Sequence, residues 1–297
     1  MVTDSFFFIF IVMSMLSFGI HGALIVSFAR RFDALTVAVY RGLSLVVTML
    51  PVLFFVSWEE IFAVKDHALP LLLSAGIGSI AFTVSMIGSR YLPIGIASTV
   101  RQTVVVPVAI VIGMLFLQEF LTSIQILLLA GIAGCAAALT LLRMNHPHLD
   151  PTKAWWGILL SVCAGFGSAL AWYFFSIAAR DLHPFVATYF VEVAVGFFTL
   201  FYLIILRALH MHTASVRIPL RTVSYIVLVG SLTFFGTGGY ALAINHGPYP
   251  LASGLMMGTI LVATVAAWFL FNERLTKTQI ALIAIAAVLM FLIRIVS

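Results

Sequence analysis

The chain has 297 residues, of which 63% are hydrophobic and only 8% are charged, with a formal net charge of +5 at pH 7. This composition excludes a water-soluble globular domain and indicates a chain that lies mostly in lipid. The basic residues are spread over many short loops and form no long cluster, so no nucleic-acid partner is expected.

Ten apolar stretches follow one another along the chain, each long enough to cross a bilayer as a helix of roughly 20 residues. Such long apolar runs favour helices over the alternating strands of a membrane barrel, which need only ~10 residues each. We therefore predict an all-α integral membrane protein. The ten predicted spans, numbered in chain order, are 5–28, 34–56, 68–89, 94–117, 123–142, 155–179, 184–206, 222–244, 249–271 and 276–296.

The segments outside the spans are short. The start, MVTDSFFFIF, has no basic region before its apolar stretch, so we predict that the first span is retained rather than cleaved. The longest loops, about 57–67, 143–154 and 207–221, leave no room for a soluble enzyme domain. Cys135 and Cys163 lie inside predicted spans, and the histidine pairs in HPHLD and HMH lack further ligands. No disulfide framework, metal or cofactor is expected.

Two short motifs recur in the same order in both halves of the chain. LQEFLTSIQ (117–125) matches FNERLTKTQ (271–279) at four of nine positions, and SFG (17–19) is answered by GFG (165–167). The chain is therefore predicted to contain two copies of one five-helix unit. Because five is odd, the second copy enters the membrane from the opposite side, which gives an inverted repeat of the kind found in secondary transporters.

The repeat divides the chain into a first unit at 1–145, a linker loop at 146–154 and a second unit at 155–297. The linker contains two prolines and several polar residues, as expected of a connecting segment. Within the longer motif, Thr122 and Thr276 precede spans 5 and 10. We predict that capping of these spans accounts for the threonines and for the glutamates before them.

A Glu-x-Leu-Thr sequence after an apolar helix in each half, with a Phe-Gly step in each half's first helix, resembles the drug/metabolite transporter superfamily, EamA type. The resemblance covers the whole chain. It implies a ten-helix, basket-like transporter whose central cavity is lined mainly by spans 1, 3, 4, 6, 8 and 9. The first helix departs from the family pattern, since LSFGIHG places His21 where the family commonly has a small polar residue or asparagine.

Charged side chains inside the spans are the first candidates for function. Arg101 lies in span 4, and an arginine near a helix centre costs about 2.5–3.5 kcal/mol, so it needs a partner, a water-filled cavity or the interface. Because span 4 is a cavity helix in the family, we predict that Arg101 binds a carboxylate or phosphate of the solute. The alternative is an interfacial or structural arginine, paired with a carbonyl or with Glu192.

Further solute contacts are predicted on the family's cavity helices, where aromatic, amide and thioether side chains would form one polar and one soft apolar wall. For each aromatic residue, packing against lipid or another helix is an equal alternative. The predicted substrate-binding residues are Arg101, Gln102, His21, Trp172, Tyr173, Phe82, Tyr240, Met256 and Met257.

Arg41 in span 2 and Glu192 in span 7 occupy similar places in the two halves. If these spans are peripheral, as the resemblance implies, the two residues brace the scaffold or a gate. The alternative is proton coupling, for which Glu192 and His21 are the candidates.

From these residues we expect a secondary transporter of a small organic solute, an amino acid or a related anionic or zwitterionic metabolite, that works by alternating access, with proton coupling left open. An exporter of lipophilic or cationic drugs is the second interpretation. A membrane-embedded enzyme and a non-transporting membrane subunit or channel are alternatives of other classes. We expect a multi-pass protein of a bacterial inner membrane, either monomer or homodimer.

The orientation in the membrane is left open by the sequence. Loops after odd-numbered spans, together with the adjoining span ends, carry ten arginines and lysines, against three for the remaining loops, span ends and tails. The positive-inside rule therefore places both ends outside, whereas the resemblance implies that both ends are cytoplasmic.

Overall fold

The computed structural model describes residues 5–92, 94–144, 151–210, 214–271 and 275–297. All regular elements within these ranges are helical. The α-helices are α1 (Ser5–Arg31), α2 (Ala34–Thr48), α3 (Trp58–Phe62), α4 (Ala68–Tyr91), α5 (Ile94–Phe116), α6 (Ser123–Met144), α7 (Pro151–Asp181), α8 (Pro184–Ala208), α9 (Leu220–His246), α10 (Tyr249–Leu255), α11 (Gly258–Phe271) and α12 (Lys277–Val296).

Most of these helices are long and apolar enough to cross a membrane. In the described ranges nine helical segments meet that criterion, and α6 adds a shorter apolar stretch, Ser123–Leu139. Their outer faces carry large apolar side chains, such as Val47, Leu127 and Phe291, that are more than half exposed. The prediction of an all-α, multi-pass integral membrane protein is confirmed, with nine to ten apolar helices in the described ranges that could span a membrane against the ten that were predicted.

The second predicted span is only partly α-helical. α2 ends at Thr48, and the chain continues as a 3₁₀-helix over Leu50–Phe55, which begins beside Pro51. A proline has no N–H to donate and disrupts the preceding α-helical turn. The predicted loop 57–67 also contains structure, because α3 lies within it and begins with a capping box between Ser57 and Glu60.

The ninth predicted span is broken into two helices. α10 ends at Leu255 and α11 begins at Gly258, with Met256 and Met257 in a turn between them. In this turn i→i−3 hydrogen bonds replace the i→i−4 bonds of an α-helix, since the Met257 N–H donates to the Gly254 carbonyl at 3.2 Å. Two glycines in five residues weaken an α-helix by about 1 kcal/mol each relative to alanine. The predicted span at 249–271 is present as an apolar segment that could cross a membrane, but it is not one continuous α-helix.

The longer repeated motif caps a helix in both halves. The Thr122 side chain accepts from the Gln125 N–H at 3.3 Å, and the Gln125 side chain accepts from the Thr122 N–H at 2.9 Å. Thr276 and Gln279 make the same two hydrogen bonds at the start of α12, with the same distances. The predicted capping by the two threonines is confirmed. α7 begins at Pro151, within the predicted linker 146–154; residues 145–150 lie outside the described residues.

Both ends of the described chain lie on one side of the bundle, which we call the termini side. Gln125, at the start of α6, donates to the Ser297 hydroxyl at 3.0 Å there, and the rings of Phe6 and His246 lie 6.0 Å apart. The opposite side, where α1 and α4 end and α5 begins, is called the far side.

The helices of the first half pack mainly on helices of the second half. α1 packs along α9 and α11, α2 against α8 and α9, α4 against α7 and α8, α5 against α7 and α10, and α6 against α12. The contact between the halves therefore runs the full length of the bundle, and the candidate site lies within it.

α2 and α8 touch backbone to backbone at Gly42 and Gly196. A β-carbon on Gly196 would lie 2.6 Å from the Gly42 carbonyl carbon, closer than real β-carbons come to another atom. Gly196→Ala is therefore expected to push the helices apart and to destabilise the protein by about 1–3 kcal/mol. Thermal unfolding in detergent measures this effect, on the order of 2–4 °C per kcal/mol. The matched control is Gly134→Ala, where an added β-carbon meets nothing within 4 Å; equal unfolding temperatures would contradict the packing.

Candidate functional site

A cavity of about 220 Å³ lies between the two halves of the bundle. This volume is large enough for several water molecules. The cavity lining includes residues of α1, α2, α4, α5, α7, α8, α9, α10 and α11. It therefore suits a small solute rather than a polymer.

The cavity extends toward the far side and ends within the bundle on the termini side. Its lining includes Ser89, two residues before the end of α4, and Ser98, four residues into α5. Toward the termini side the lining stops at Phe175, Tyr240 and Ser253, each several residues inside the end of its helix.

Arg101 lies on the cavity wall without a carboxylate partner. Its Nη1 donates to the Ser85 hydroxyl at 3.2 Å, and in the part of the chain that the structure describes no acidic side chain lies within ion-pair distance of it. Gly165 of the GFG motif lets α7 approach α5 at this point, because a β-carbon there would lie 2.7 Å from the Arg101 carbonyl oxygen. One of the five N–H donors of the guanidinium is used by Ser85.

Arg41 and Glu192 form an ion pair at the same cavity. The Arg41 Nη2 lies 2.9 Å from Glu192 Oε2, and both side chains are less than a tenth exposed. Thr237 donates to the other carboxylate oxygen at 2.5 Å, and the Arg41 guanidinium lies 5.1 Å from the Phe82 ring centre. Spans 2 and 7 were expected to be peripheral, but both residues line the cavity while they also join α2 to α8. Glu192 therefore pairs with Arg41 and not with Arg101.

His21 contributes a buried imidazole to the wall. It is 4% exposed, and its ring lies 6.4 Å from that of Phe82 in a nearly parallel arrangement. Its Nε2 has no hydrogen-bond partner among the described residues. A buried polar atom without a partner costs about 1–3 kcal/mol, so an occupant that bonds to Nε2 would recover this free energy.

The end of the cavity nearest the termini side is aromatic. The Trp172 ring centre lies 4.5 Å from that of Tyr240, 5.7 Å from Phe175 and 5.8 Å from Phe18. The Tyr240 hydroxyl also makes a 2.8 Å hydrogen bond with the Ser253 hydroxyl. Aromatic faces here and polar groups around Arg101 give the cavity two chemically different ends.

The structure brings most of the predicted substrate-binding residues to this one cavity. Tyr173 and Met257 are the exceptions: the Tyr173 ring packs against those of Phe116 and Tyr249, and Met257 is fully buried in the apolar core. Adjacent side chains on a helix point about 100° apart, so Tyr173 faces away from the cavity that Trp172 lines. The predicted residues that line the cavity are Arg101, Gln102, His21, Trp172, Phe82, Tyr240 and Met256.

Several hydroxyl side chains of the site were not predicted. Gln102 donates to one of them, Thr259, at 3.4 Å across the two halves. Five residues on α4 recur every three or four positions and so share one helix face, a periodicity that was available in the sequence. These five cavity-lining residues are Ser74, Gly78, Phe82, Ser85 and Ser89.

Acidic, basic and nucleophilic side chains also line the cavity. Glu192, His21 and Ser98 all line the cavity, but no hydrogen bond joins any two of them in the described structure. Within the described ranges no three histidine, cysteine or acidic side chains come together as metal ligands, and Cys135 and Cys163 are free thiols.

Comparison with known proteins identifies the fold only. No protein-family model matches the chain, and no curated protein matches its sequence. A solved structure, described only as "Crystal structure of protein", superposes with a TM-score of 0.66 over 96% of this chain and 94% of that chain, at 12% identity. The helical arrangement of the whole chain therefore occurs in another protein of similar length.

Proposed function

We propose that this protein is a secondary transporter that moves a small organic solute with an anionic group across a membrane by alternating access. The observation that carries the proposal is Arg101, a cavity-lining guanidinium that has Ser85 as its hydrogen-bond partner and, among the described residues, no carboxylate within ion-pair distance. An unpaired arginine within a membrane span is costly, and an anionic solute in the cavity would offset that cost.

The packing of the helices supports an inverted repeat and the resemblance to EamA-type transporters. Exchanging the two halves maps the α1–α9 contact onto α7–α4, the α1–α11 contact onto α7–α5, and the α2–α9 contact onto α8–α4. The contacts of α2 with α8 and of α6 with α12 map onto themselves. Such a match is expected of two similar units related by a two-fold axis, which can exchange conformations at similar free energy.

Each first-helix motif has a glycine at a close contact between helices of the two halves, although the two glycines occupy different positions in their motifs. Gly165 of GFG lets α7 approach α5, and Gly19 of SFG lets α1 approach α11, where a β-carbon would lie 3.0 Å from the Thr259 carbonyl oxygen. On this proposal the protein resides in a bacterial inner membrane, and the two units rock about the cavity between them.

The two ends of the cavity favour an amphiphilic solute. Arg101 would bind its carboxylate, and the aromatic faces around Trp172 would contact its apolar part. Glu192 and the same ring faces offer places for an ammonium group. An amino acid or a related anionic or zwitterionic metabolite fits both requirements.

Counterflow in vesicles tests the proposal. Purified protein in vesicles loaded with an unlabelled amino acid or organic acid is expected to accumulate the labelled form of the same solute transiently, without an energy source. Vesicles without protein serve as the control. Absence of exchange across a panel of carboxylated metabolites would contradict the proposal.

Export of lipophilic or cationic drugs is a second candidate, favoured by the cluster of Phe18, Trp172, Phe175 and Tyr240. Aromatic faces attract cations and apolar molecules. In the same counterflow experiment, exchange of cationic dyes without exchange of carboxylated solutes would favour this candidate.

A further inference from the structure

Glu119 joins three segments at the termini side of the cavity. One carboxylate oxygen accepts from Arg180 Nη2 at 2.6 Å, and the other accepts from the Tyr249 backbone N–H at 2.8 Å. Glu119 belongs to the loop between α5 and α6, in the first half, whereas Arg180 lies in the last turn of α7 and Tyr249 begins α10, both in the second half. The helix-end role predicted for Glu119 is therefore wrong, since Thr122 and Gln125 cap α6.

The local backbone fixes this carboxylate in place. Gln118 has a φ of 54°, in the left-handed region that residues other than glycine rarely adopt. The N–H groups of Leu117 and Glu119 both donate to the Gly113 carbonyl, at 3.1 and 2.9 Å. This tight turn at the end of α5 directs Glu119 across to the second half, where its side chain is only 10% exposed.

The contact lies between the cavity and the termini side. Tyr249, whose N–H bonds to Glu119, also donates its hydroxyl to the Ala169 carbonyl at 2.8 Å. The cavity lining ends at Tyr240 and Ser253, which lie on the helices around this tyrosine. A solute that leaves toward the termini side would have to separate the α5–α6 loop from α7 and α10.

A charged tie on the far side has a different geometry. Arg90 of α4 donates to the carbonyls of Ala29 and Phe32 at 3.2 and 2.6 Å, which holds α4 to the turn between α1 and α2. All of these residues belong to the first half, so this tie does not hinder a movement of one half against the other.

We propose that the contact of Glu119 with Arg180 and Tyr249 is a latch that keeps the termini side closed in this state and breaks when the cavity opens to that side. The inference rests on the proposed transport function, because the latch would control access of the solute to the cavity. The closed state itself is tested without any solute. Opening the termini side requires the half-buried Arg180 guanidinium to separate from the largely buried Glu119 carboxylate. The contact therefore stabilises the conformation in which the termini side is closed.

Side-specific labelling of a cavity cysteine tests the latch. Cys135 and Cys163 are replaced by alanine, Ser168 of the cavity wall is replaced by cysteine, and a membrane-impermeant maleimide is applied from each side of oriented vesicles. In this parent, labelling from the termini side should be slow. Glu119→Gln keeps the size of the side chain but removes its charge, and is expected to raise the labelling rate from the termini side several-fold.

Three further variants make the result decisive. Arg180→Gln should act like Glu119→Gln, which covers the case in which one of them fails to fold. Glu119→Asp keeps the charge and should restore slow labelling, whereas Arg90→Gln, which loosens the tie within the first half, should leave labelling from the termini side unchanged. Equal rates for Glu119→Gln, Arg180→Gln and the parent would overturn the latch.

The latch and the transport function can fail separately. Counterflow by the parent with unchanged labelling in both charge-removal variants would remove the latch and leave transport standing. Faster labelling from the termini side in a protein that exchanges no solute would support the latch and remove the transport function.

Discussion

Replacing Arg101 with glutamine is expected to abolish exchange of carboxylated solutes. Truncating one partner of a buried, hydrogen-bonded charge pair typically costs about 2–5 kcal/mol. At 1.4 kcal/mol per tenfold, the solute's Kd would rise by between about 30-fold and several thousand-fold. Counterflow rates and direct binding to the purified variant measure this loss.

The same substitution is expected to leave the protein folded. Arg101 bonds to Ser85 and to no carboxylate in the described structure, so its removal strands no buried negative charge. The unfolding temperature of Arg101→Gln should therefore equal or exceed that of the parent, in contrast to its transport. Arg221→Gln, which changes an exposed arginine at the start of α9, is the matched control and should affect neither property. Normal exchange by Arg101→Gln would remove Arg101 from the mechanism.

Substitution of Ser85 tests how much of the effect of Arg101 depends on its charge and how much on the orientation of its guanidinium. Ser85→Ala removes the hydroxyl that accepts from Arg101 and leaves the charge in the cavity. We expect a weaker effect on exchange than for Arg101→Gln, because the charge supplies most of the attraction to an anion and the serine only orients it.

The sequence was most informative where a charged or titratable residue lies within an otherwise apolar span. Arg101, Arg41, Glu192 and His21 stand out because charged and titratable groups are rare in apolar spans, and all four line the cavity. The spans themselves were predictable because each is a continuous apolar run, and the threonine caps because capping depends on residues only three positions apart.

Features that depend on helix packing were not predictable in the same way. The choice of Arg41 rather than Arg101 as the partner of Glu192 depends on the close approach of α2 and α8 at Gly42 and Gly196. No local pattern in the sequence indicates which helices meet. The cavity hydroxyls are small and common in spans, so they do not stand out singly.

Glu192→Ala is expected to have the largest effect on stability of the substitutions considered. It leaves the Arg41 guanidinium buried without its carboxylate, and breaking a buried ion pair by removing one partner costs about 3–5 kcal/mol. Thr237 also loses the oxygen to which it donates. The yield of folded protein after detergent extraction, and its unfolding temperature, should fall sharply.

The double variant Arg41→Met, Glu192→Met is the control that separates stability from function. Replacing a whole buried ion pair by apolar residues of similar size is often neutral or stabilising, by about 1–4 kcal/mol. We expect this variant to fold and to unfold at or above the parent's temperature. A double variant as unstable as Glu192→Ala would show that the cavity needs the charges themselves.

A folded double variant then decides whether Glu192 couples transport to protons. An anionic solute near Arg41 competes with Glu192 for the guanidinium, and Glu192 would then bind a proton in place of its lost partner. If so, the double variant should still exchange an organic acid without an ammonium group in counterflow, because Arg101 is intact, but an imposed pH gradient should no longer drive net uptake of that acid. If a pH gradient still drives uptake by the double variant, Glu192 and Arg41 do not couple transport to protons, and their role is to join α2 to α8. Because counterflow needs no coupling and gradient-driven uptake does, the ratio of the two rates distinguishes a brace from a proton carrier in one preparation.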